Sequence, residues 1–483
     1  MSRSSSYPSS RARPSAGFGM NGEGQAPARP EIISGWVVAL ATLIGLSWAN
    51  SPWAGSYEAL WSTRVRIGSA GLGLEKPLVL WVNDLLMAVF FLLVAVEVKR
   101  ELSPGGELDS PRKAALPAVA ALGGMLAPAG VFVGLTLLLS AGGRPGPALQ
   151  GWAVPVATDI AFARFVARLL GARVPPGLLV FLTALAIIDD LGAILIIALW
   201  YASDLSLPAH LCAAGLTLVL VGMNRCGVRT PGWYVLVGVP LWVAVLKSGV
   251  HATLAGVVTG LCIPARATAD ALTVQGRARD LLAAAGDEGR TSPRLAAATR
   301  ALQRTIQDSE SPARRLELAL EPLVAFLIVP LFALANAGVS LVGAGPGELL
   351  GPVALGVAMG LFVGKQAGVL AAAWLARASG LVQLPRGTSW RHLHGASALT
   401  GIGFTMALFI AGLAYEEGGP QHVQAKLGVL TGSALSGGLG LVLLSWGARR
   451  PPAPNAWSEP GMPPGREGDP QSLLAGADSM RME

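Results

Sequence analysis

The sequence contains few cysteines and few charged residues for its length of 483 residues. The three cysteines, Cys212, Cys226 and Cys262, lie in or beside apolar segments with no paired spacing. They give no support to a disulfide framework or a zinc site. Charged residues make up 13% of the chain against 52% hydrophobic residues, and the mean hydropathy is +0.54. Because a soluble chain of this length could not hide so much apolar surface in one core, the composition indicates a polytopic membrane protein.

Apolar segments long enough to cross a bilayer recur along the chain. About 20 residues of helix are needed to cross the hydrocarbon core. Twelve such segments are predicted, and they begin near Ile33, Leu78, Ala115, Trp152, Pro176, Leu207, Trp233, Ser248, Leu318, Gly351, Leu393 and Leu427. We therefore predict an all-α polytopic membrane protein with about 12 transmembrane helices.

The basic residues are unevenly divided between the two sides of these spans. Of the 36 lysines and arginines, 29 fall in the termini and in alternate loops, six fall in the opposite loops, and Lys365 lies within a span. The positive-inside rule places the larger group in the cytoplasm, so both termini are predicted to be cytoplasmic. The net charge of +7 thus reflects topology, and no nucleic-acid partner is needed to explain it.

Polar stretches bound and interrupt a predicted transmembrane domain of residues 32–447. Residues 1–31 are rich in Ser, Gly, Pro and Arg and lack the apolar core of a signal peptide, and residues 448–483 are similar. Both are predicted to be disordered cytoplasmic tails. Residues 264–315 hold nine arginines and predict a long cytoplasmic loop.

An alternating pattern follows the first span. From Trp61 to Ile67 apolar or β-branched residues alternate with Ser and Arg, and Gly68 and Gly71 could turn the chain. The pattern predicts a small β-hairpin at the periplasmic surface, within residues 58–75, and an irregular loop is the alternative.

Two adjacent aspartates lie in the middle of the fifth span. Asp189 and Asp190 interrupt a segment that is otherwise apolar from Leu178 to Trp200. A charged residue at the bilayer centre costs about 2.5–3.5 kcal/mol on insertion scales, so the pair indicates a functional site. Successive residues of a helix point about 100° apart, and we therefore expect the two aspartates to have different roles.

The fourth span carries a third acid. Pro155 disturbs the helix, and the side chains of Thr158 and Asp159 follow directly after it. A carboxylate, a hydroxyl and freed carbonyl groups are the oxygen ligands that a hard cation such as sodium prefers. The alternative is that Thr158 and Asp159 cap a half-helix, and both interpretations can hold together.

Lys365 is the positive counterpart of these acids. It lies too deep in its span to reach the interface easily, so a buried carboxylate partner is expected, with Asp189 the natural candidate; a plain stabilising ion pair is the alternative.

The segment from Gly401 to Gly403 interrupts the eleventh span. Interruptions in spans 4 and 11 are typical of inverted repeats with crossed, broken helices, whose dipole ends Asp159 and Lys365 could neutralise.

Six strings of the chain carry a resemblance to a known family. They are NDLLMAVFFLLV from Asn83, EVKRE from Glu97, ATDIAF from Ala157, AIIDDLGA from Ala186, KSGVHATLAG from Lys247 and GIGFTM from Gly401. Together they closely resemble the NhaA family of bacterial sodium/proton antiporters, from about Ile33 to Trp446. The resemblance implies an electrogenic, pH-regulated secondary transporter of the bacterial inner membrane, not an enzyme. It implies no cofactor beyond the transported Na+ or Li+ and H+, and a homodimer through the 58–75 hairpin.

The resemblance also implies roles for single residues. Asp190 corresponds to the principal carrier of sodium and protons, with Asp189 and Thr158 as further sodium ligands. Asp189 corresponds to the partner of Lys365, and Thr158 and Asp159 correspond to the elements at the helix crossing. In such a site sodium and protons compete for buried carboxylates, and their exchange couples the two gradients.

A regulatory group is implied in the same way, and its members are Glu97, Arg100, Glu101, His251 and Glu317. Ordinary interfacial charges are the alternative for the first three, and a packing residue is the favoured alternative to a transport role for the histidine. The chain departs from the family at Leu318 and Glu321, which stand near Glu317 where the family has histidines, and in its longer preceding loop. The pH at which transport begins therefore does not follow from the resemblance.

Two functions from other classes fit paired membrane aspartates. An intramembrane aspartyl protease needs two carboxylates that converge on one water, and its known family has a Gly-x-Gly-Asp string, whereas Phe404 follows Gly403 here. A passive cation channel is the other alternative, although several acids with a buried lysine suit gated exchange better.

Overall fold

The computed structural model of the protein covers its apolar region. It describes residues 29–447 except 69–72, 141–145, 203–205, 342–345, most of 267–309, and positions 381, 383 and 386. Nearly all of the two predicted tails and most of the predicted loop at 264–315 lie outside the described residues, so those predictions stay as they were.

The described chain is mostly helical. Its helices of eight residues or more are α1 (Arg29–Ala49), α2 (Ala54–Ser62), α3 (Leu78–Glu101), α4 (Pro111–Leu139), α5 (Ile160–Leu169), α6 (Pro176–Trp200), α7 (Leu207–Arg225), α8 (Pro231–Ser248), α9 (Thr253–Cys262), α10 (Pro312–Asn336), α11 (Pro352–Ala378), α12 (Trp390–Thr400), α13 (Phe404–Ala414) and α14 (Pro420–Gly447). A 3-10 helix, Gln150–Val156, precedes α5.

Nine of these helices in the described residues are long and apolar enough to cross a membrane, namely all except α2, α5, α9, α12 and α13. Helices α12 and α13 form a tenth candidate span, bent by 40° at a short break. The fourth predicted span corresponds to the 3-10 helix Gln150–Val156 followed by α5, and the eighth corresponds to α9, which has 10 residues. The polytopic all-α class is confirmed, while a total of 12 spans stays a prediction.

The β-hairpin is present and shorter than its pattern indicated. Strand β1 (Arg64–Ile67) pairs antiparallel with β2 (Leu74–Pro77). Trp61, however, lies in the last turn of α2, where its ring packs edge-on against Tyr57 one turn earlier. The interpretation of Trp61 as a strand residue was wrong because burial of these two rings at helical spacing outweighs the alternation.

Two other boundaries differ by one turn or less. Helix α1 begins at Arg29, so residues 29–31 belong to a helix and not to the predicted tail. Helix α10 begins at Pro312, so the last four residues of the predicted loop 264–315 are helical. Pro at the first position of a helix costs no hydrogen bond, because that backbone N–H would lack an intrahelical partner anyway.

Glycines bring the central helices close together. Helix α4 packs along α11, and a Cβ atom on Gly368 would lie 2.0 Å from the carbonyl oxygen of Gly123. Helix α9 packs along α3 in the same way, with Gly256 against the carbonyl oxygen of Ala88. Small residues at these crossings allow backbone contact, as is common between membrane helices. The crossing of α4 and α11 at Gly368 lies within one helical turn of Lys365, so it fixes the position of Lys365 relative to α4.

Candidate functional site

The interruptions of the fourth and eleventh spans meet each other. The 3-10 helix before α5 ends at Val156 and α5 begins at Ile160, while α12 ends at Thr400 and α13 begins at Phe404. Between these ends the backbone N–H of Asp159 donates to the carbonyl oxygen of Ile402 over 2.7 Å. The two breaks are therefore joined at one point inside the protein, and an inverted repeat around that point stays a prediction.

Asp159 caps two helices at once. Its Oδ1 accepts a hydrogen bond from the backbone N–H of Phe162 in α5 over 3.0 Å. Its Oδ2 accepts from the backbone N–H and from the hydroxyl of Thr405 in α13, over 3.0 Å and 2.5 Å. The buried carboxylate thus lies at two positive helix ends, which it stabilises through hydrogen bonds. The alternative interpretation, that Asp159 caps a half-helix, is therefore confirmed, while neutralisation of the helix ends by its charge stays a prediction.

Lys365 and Asp189 form a fully buried ion pair. Both side chains have no exposed surface, and Lys365 Nζ donates to Asp189 Oδ2. The same carboxylate oxygen lies 2.8 Å from the hydroxyl of Thr158, which also lies 2.9 Å from the carbonyl oxygen of Thr400 at the end of α12. The predicted pair is confirmed. Among the described residues Thr158 and not Lys365 bonds to the end of α12, and neutralisation of that helix end by Lys365 stays a prediction.

Asp190 differs from its neighbour in making no ion pair with any residue in the described part of the chain. Its side chain is buried, and its Oδ1 makes no hydrogen bond to any residue that the structure describes. Asp189 Oδ1 is likewise buried and unpartnered. A buried polar atom left without a partner is costly, so such oxygens mark places where an ion, a proton or a water belongs. The expected difference between the two aspartates is therefore visible in their contacts.

A π-helical turn, Gly360–Gly364, directly precedes Lys365 in α11. A Cβ atom on Gly364 would lie 2.6 Å from the Cα of Pro128 in α4, and one on Gly360 would lie 2.7 Å from Pro155 before the first break. The bare faces of the two glycines therefore let α11 pack directly against these prolines. Single π turns are frequent at functional sites, and this one sets the register of Lys365 relative to the breaks.

A cavity of about 190 Å³ opens at the end of α6 that precedes the aspartates. It is lined by Glu101, Glu107, Leu108, Arg164, Arg168, Leu179, Val180, Thr183, Ala184 and Ile187. The lining residues of α6 recur at intervals of three or four, as on one face of a helix. Asp190 occupies the next position of that stripe, three residues after Ile187. The cavity therefore lies on the face of α6 that carries Asp190 one turn further on.

Comparison with known proteins assigns this arrangement to a family. Residues 26–444 match the family described as Na+/H+ antiporter 1. The chain belongs to the Na+/H+ antiporter 1 family. The family is one of transporters, so the chain is not an enzyme, and the protease alternative is removed.

Several proteins that are similar to this chain are named as Na(+)/H(+) antiporters. A Na(+)/H(+) antiporter NhaA of Rhodospirillum rubrum is 49% identical over 427 residues, which cover 88% of this chain and 97% of that protein. One of Oleidesulfovibrio alaskensis is 46% identical, covering 86% and 91%. A Na(+)/H(+) antiporter NhaA 2 of Magnetococcus marinus is 46% identical, covering 87% and 96%. The similarity thus extends over nearly the whole length of each relative.

A charged cluster of this antiporter-family chain lies at the cavity end of α3. Arg100 pairs with Glu317 at 2.9 Å and with Glu101 at 2.8 Å, and Arg314 pairs with Glu317 at 2.6 Å. Glu97 is half-buried one turn earlier and interacts electrostatically with the cluster. Four of the five predicted regulatory residues are therefore brought together. Leu318 and Glu321, for which the resemblance implied histidines, are exposed.

The fifth regulatory candidate, His251, lies apart from that cluster. It is half-buried between α8 and α9, and the charges that act on it are those of Asp84 and Lys76. These two residues form an ion pair of 2.5 Å at the opposite end of α3 from Arg100. The structure thus does not bring His251 together with the other candidates.

Two contacts of the site region were not anticipated. Thr405, which donates twice to Asp159, received no role, although its place two residues after the second break was a usable signal. Asn83 in α3 and Asn336 in α10 exchange amide hydrogen bonds of 3.2 Å and 2.8 Å. They are 253 positions apart, and nothing in the sequence pairs them.

Proposed function

We propose that the chain exchanges cytoplasmic Na+ for external H+ at Asp190, with Li+ as a second substrate. The observation that carries the proposal is the buried carboxylate of Asp190, whose Oδ1 has no partner among the described residues, one turn beyond the cavity lining on the same face of α6. A buried carboxylate must be compensated by a proton or a cation, because a bare charge away from water costs several kcal/mol. Membership of the Na+/H+ antiporter 1 family supports the choice of sodium.

In this proposal the oxygens beside Asp190 complete the sodium site. Asp189 offers its unpartnered Oδ1, since Lys365 occupies its Oδ2, and Thr158 offers a hydroxyl at that same Oδ2. Carboxylate and hydroxyl oxygens suit a hard monovalent cation. Protons reach the same carboxylates from the other side of the membrane, so that binding of one ion displaces the other.

In this proposal the region where the two broken spans meet is the part of the protein that rearranges during transport. Asp159 holds the first turns of α5 and α13, and Thr158 links the end of α12 to Asp189. A rearrangement of one broken span must therefore act on the other and on the ion pair. Together, Asp190 and the Asp189–Lys365 pair can release more than one proton per sodium ion, which makes the exchange electrogenic. Because these groups are adjacent, their protonation is a property of the group and not of one residue.

We propose further that the cluster of Glu97, Arg100, Glu101 and Glu317 adjusts transport to cytoplasmic pH, and that His251 acts separately from the opposite end of α3. The protein resides in the inner membrane with both termini in the cytoplasm, as the distribution of basic residues indicates. The strand pair β1–β2 serves as the contact of a homodimer. No resident cofactor is part of this scheme.

Everted membrane vesicles test the proposed function directly, because their cytoplasmic face points outward. Vesicles from cells that express the protein are energised by respiration, and a pH-sensitive dye reports the proton gradient. Addition of NaCl or LiCl should collapse the gradient, KCl should not, and the response should change with pH. An equal response to KCl would indicate cation/proton exchange without selectivity for sodium or lithium, and would contradict the proposed substrates. No response to any cation in vesicles that contain the protein would contradict the proposal.

A further inference from the structure

Two arginines line the cavity on the face of α6 that carries Asp190, and one glutamate of another helix pairs with both. Arg164 and Arg168 are four residues apart on α5 and therefore lie on the same helix face. Arg164 Nη2 lies 2.5 Å from Glu31 Oε1, and Arg168 Nε lies 2.9 Å from Glu31 Oε2. Each carboxylate oxygen of Glu31 thus holds one of the two guanidinium groups.

Packing fixes Glu31 in this position. One turn further along α1, a Cβ atom on Gly35 would lie 2.1 Å from the ring of Phe165, so the two helices are in close contact there. Trp36 packs edge-on against the same ring, with centroids 5.5 Å apart. Because Glu31 and Gly35 share a helix face, the glutamate is held over the arginines by the contact between α1 and α5.

The arginines are in an unfavourable place for a cation entrance. The cavity is lined by two acids, Glu101 and Glu107, and by the two arginines, so these four charges cancel. Among the charges that the structure describes at the cavity, Glu31 adds the one that makes the balance net negative. The other described members of the charged cluster beyond Glu101 are two acids, Glu97 and Glu317, and two arginines, Arg100 and Arg314, so they leave that balance unchanged.

We propose that Glu31 promotes the capture of sodium at the cation entrance, because it neutralises Arg164 and Arg168 and thereby keeps the cavity attractive to a cation. The inference rests on the proposed function. Glu31 does not touch the transported ion and acts through the two arginines. Its contribution is electrostatic, so it concerns capture of sodium at the cytoplasmic side and not the rate of the rearrangement that follows.

The expected change in the apparent affinity for sodium follows from the solvent exposure of Glu31, Arg164 and Arg168. Their side chains are 27–32% exposed, so solvent screens the charges in part. Exposed ion pairs contribute about 0.2–1 kcal/mol, which corresponds to a change of up to about fivefold in an apparent affinity. Screening has a length of about 8 Å at physiological ionic strength, so added salt should reduce the effect.

The experiment compares KM for sodium in everted vesicles at low and high choline chloride. Glu31→Gln should raise KM about two- to fivefold at low salt and much less at high salt, with the maximal rate preserved. Removal of both arginines with Glu31 retained (R164Q/R168Q) should lower KM, and the triple variant E31Q/R164Q/R168Q should abolish the increase. Glu75→Gln is the matched control, because Glu75 also pairs with an arginine, Arg64, but on the hairpin.

Each outcome has a separate meaning. If wild-type vesicles show no sodium-dependent proton movement, the proposed function fails and not the role of Glu31. If wild type is active and E31Q has the KM of E75Q, the inference is overturned. A reduced maximal rate with a KM that does not depend on salt, and that the triple variant does not restore, would assign Glu31 a structural role and also overturn it.

Discussion

Replacement of Lys365 by alanine should destabilise the protein strongly. The change removes the cation from a pair in which neither side chain is exposed. Asp189 would then keep only the Thr158 hydroxyl at Oδ2, while its Oδ1 already lacks a partner. Loss of one member of a buried ion pair costs about 3–5 kcal/mol, because the other charge stays buried and uncompensated. At the entropy of unfolding typical of proteins this size, the melting temperature should fall by roughly 3–6 °C.

Thermal unfolding of purified protein in detergent measures this loss, and a double variant isolates its cause. In D189N/K365A the buried charge is removed together with its partner, so at least half of the lost stability should return. The reasoning would be refuted if K365A melted with the wild type, or if the double variant were as unstable as the single one. The first outcome would show that the pair contributes no net stabilisation, and the second would show that the loss does not come from the uncompensated charge of Asp189.

Two further predictions concern contacts outside the ion pair. Asp159→Asn should lower the free energy of unfolding by about 0.5–2 kcal/mol, because an amide offers one acceptor oxygen and can cap α5 or α13 but not both. Thermal unfolding in detergent measures this loss, and an unchanged melting temperature would contradict the double cap. Tyr57→Phe removes a hydroxyl that lies 2.8 Å from the carbonyl oxygen of Ala335 and 2.9 Å from that of Leu334. The loss should lower the free energy of unfolding by about 1 kcal/mol. Burial raises the pKa of Tyr57 to about 12, above the unfolded value of about 10, so its stabilisation is complete below about pH 10 and is lost as the pH rises to about 12. Melting temperatures across that range should fall less steeply for Y57F than for wild type, and equal slopes would contradict this assignment.

The sequence was sufficient for features that a single energetic rule dictates. A charge in an apolar span must be compensated, and Lys365 was the only basic residue inside a predicted span, so its pairing with Asp189 followed. The two interrupted spans could be recognised from Pro155 and from the glycines at 401–403, because both residue types disturb a helix.

Contacts between distant segments could not be predicted in this way. Asp159 and Thr405 are 246 positions apart, and their hydrogen bonds depend on how the two breaks meet. Glu31 stood in a stretch assigned to a tail, since its partners on α5 lie more than 130 positions away. Trp61 fitted a strand pattern that its packing against Tyr57 overrides. Each of these outcomes is decided by tertiary packing, on which local pattern carries no information.

The most direct test of the account is sodium-induced proton movement in everted vesicles that contain Asp190→Asn. Asparagine keeps the size of the buried side chain and removes the group that would bind sodium or a proton. We expect a response no larger than in vesicles without the protein, with wild-type amounts in the membrane and no loss of thermal stability. Sodium-dependent proton movement at the wild-type level would contradict the central role of Asp190.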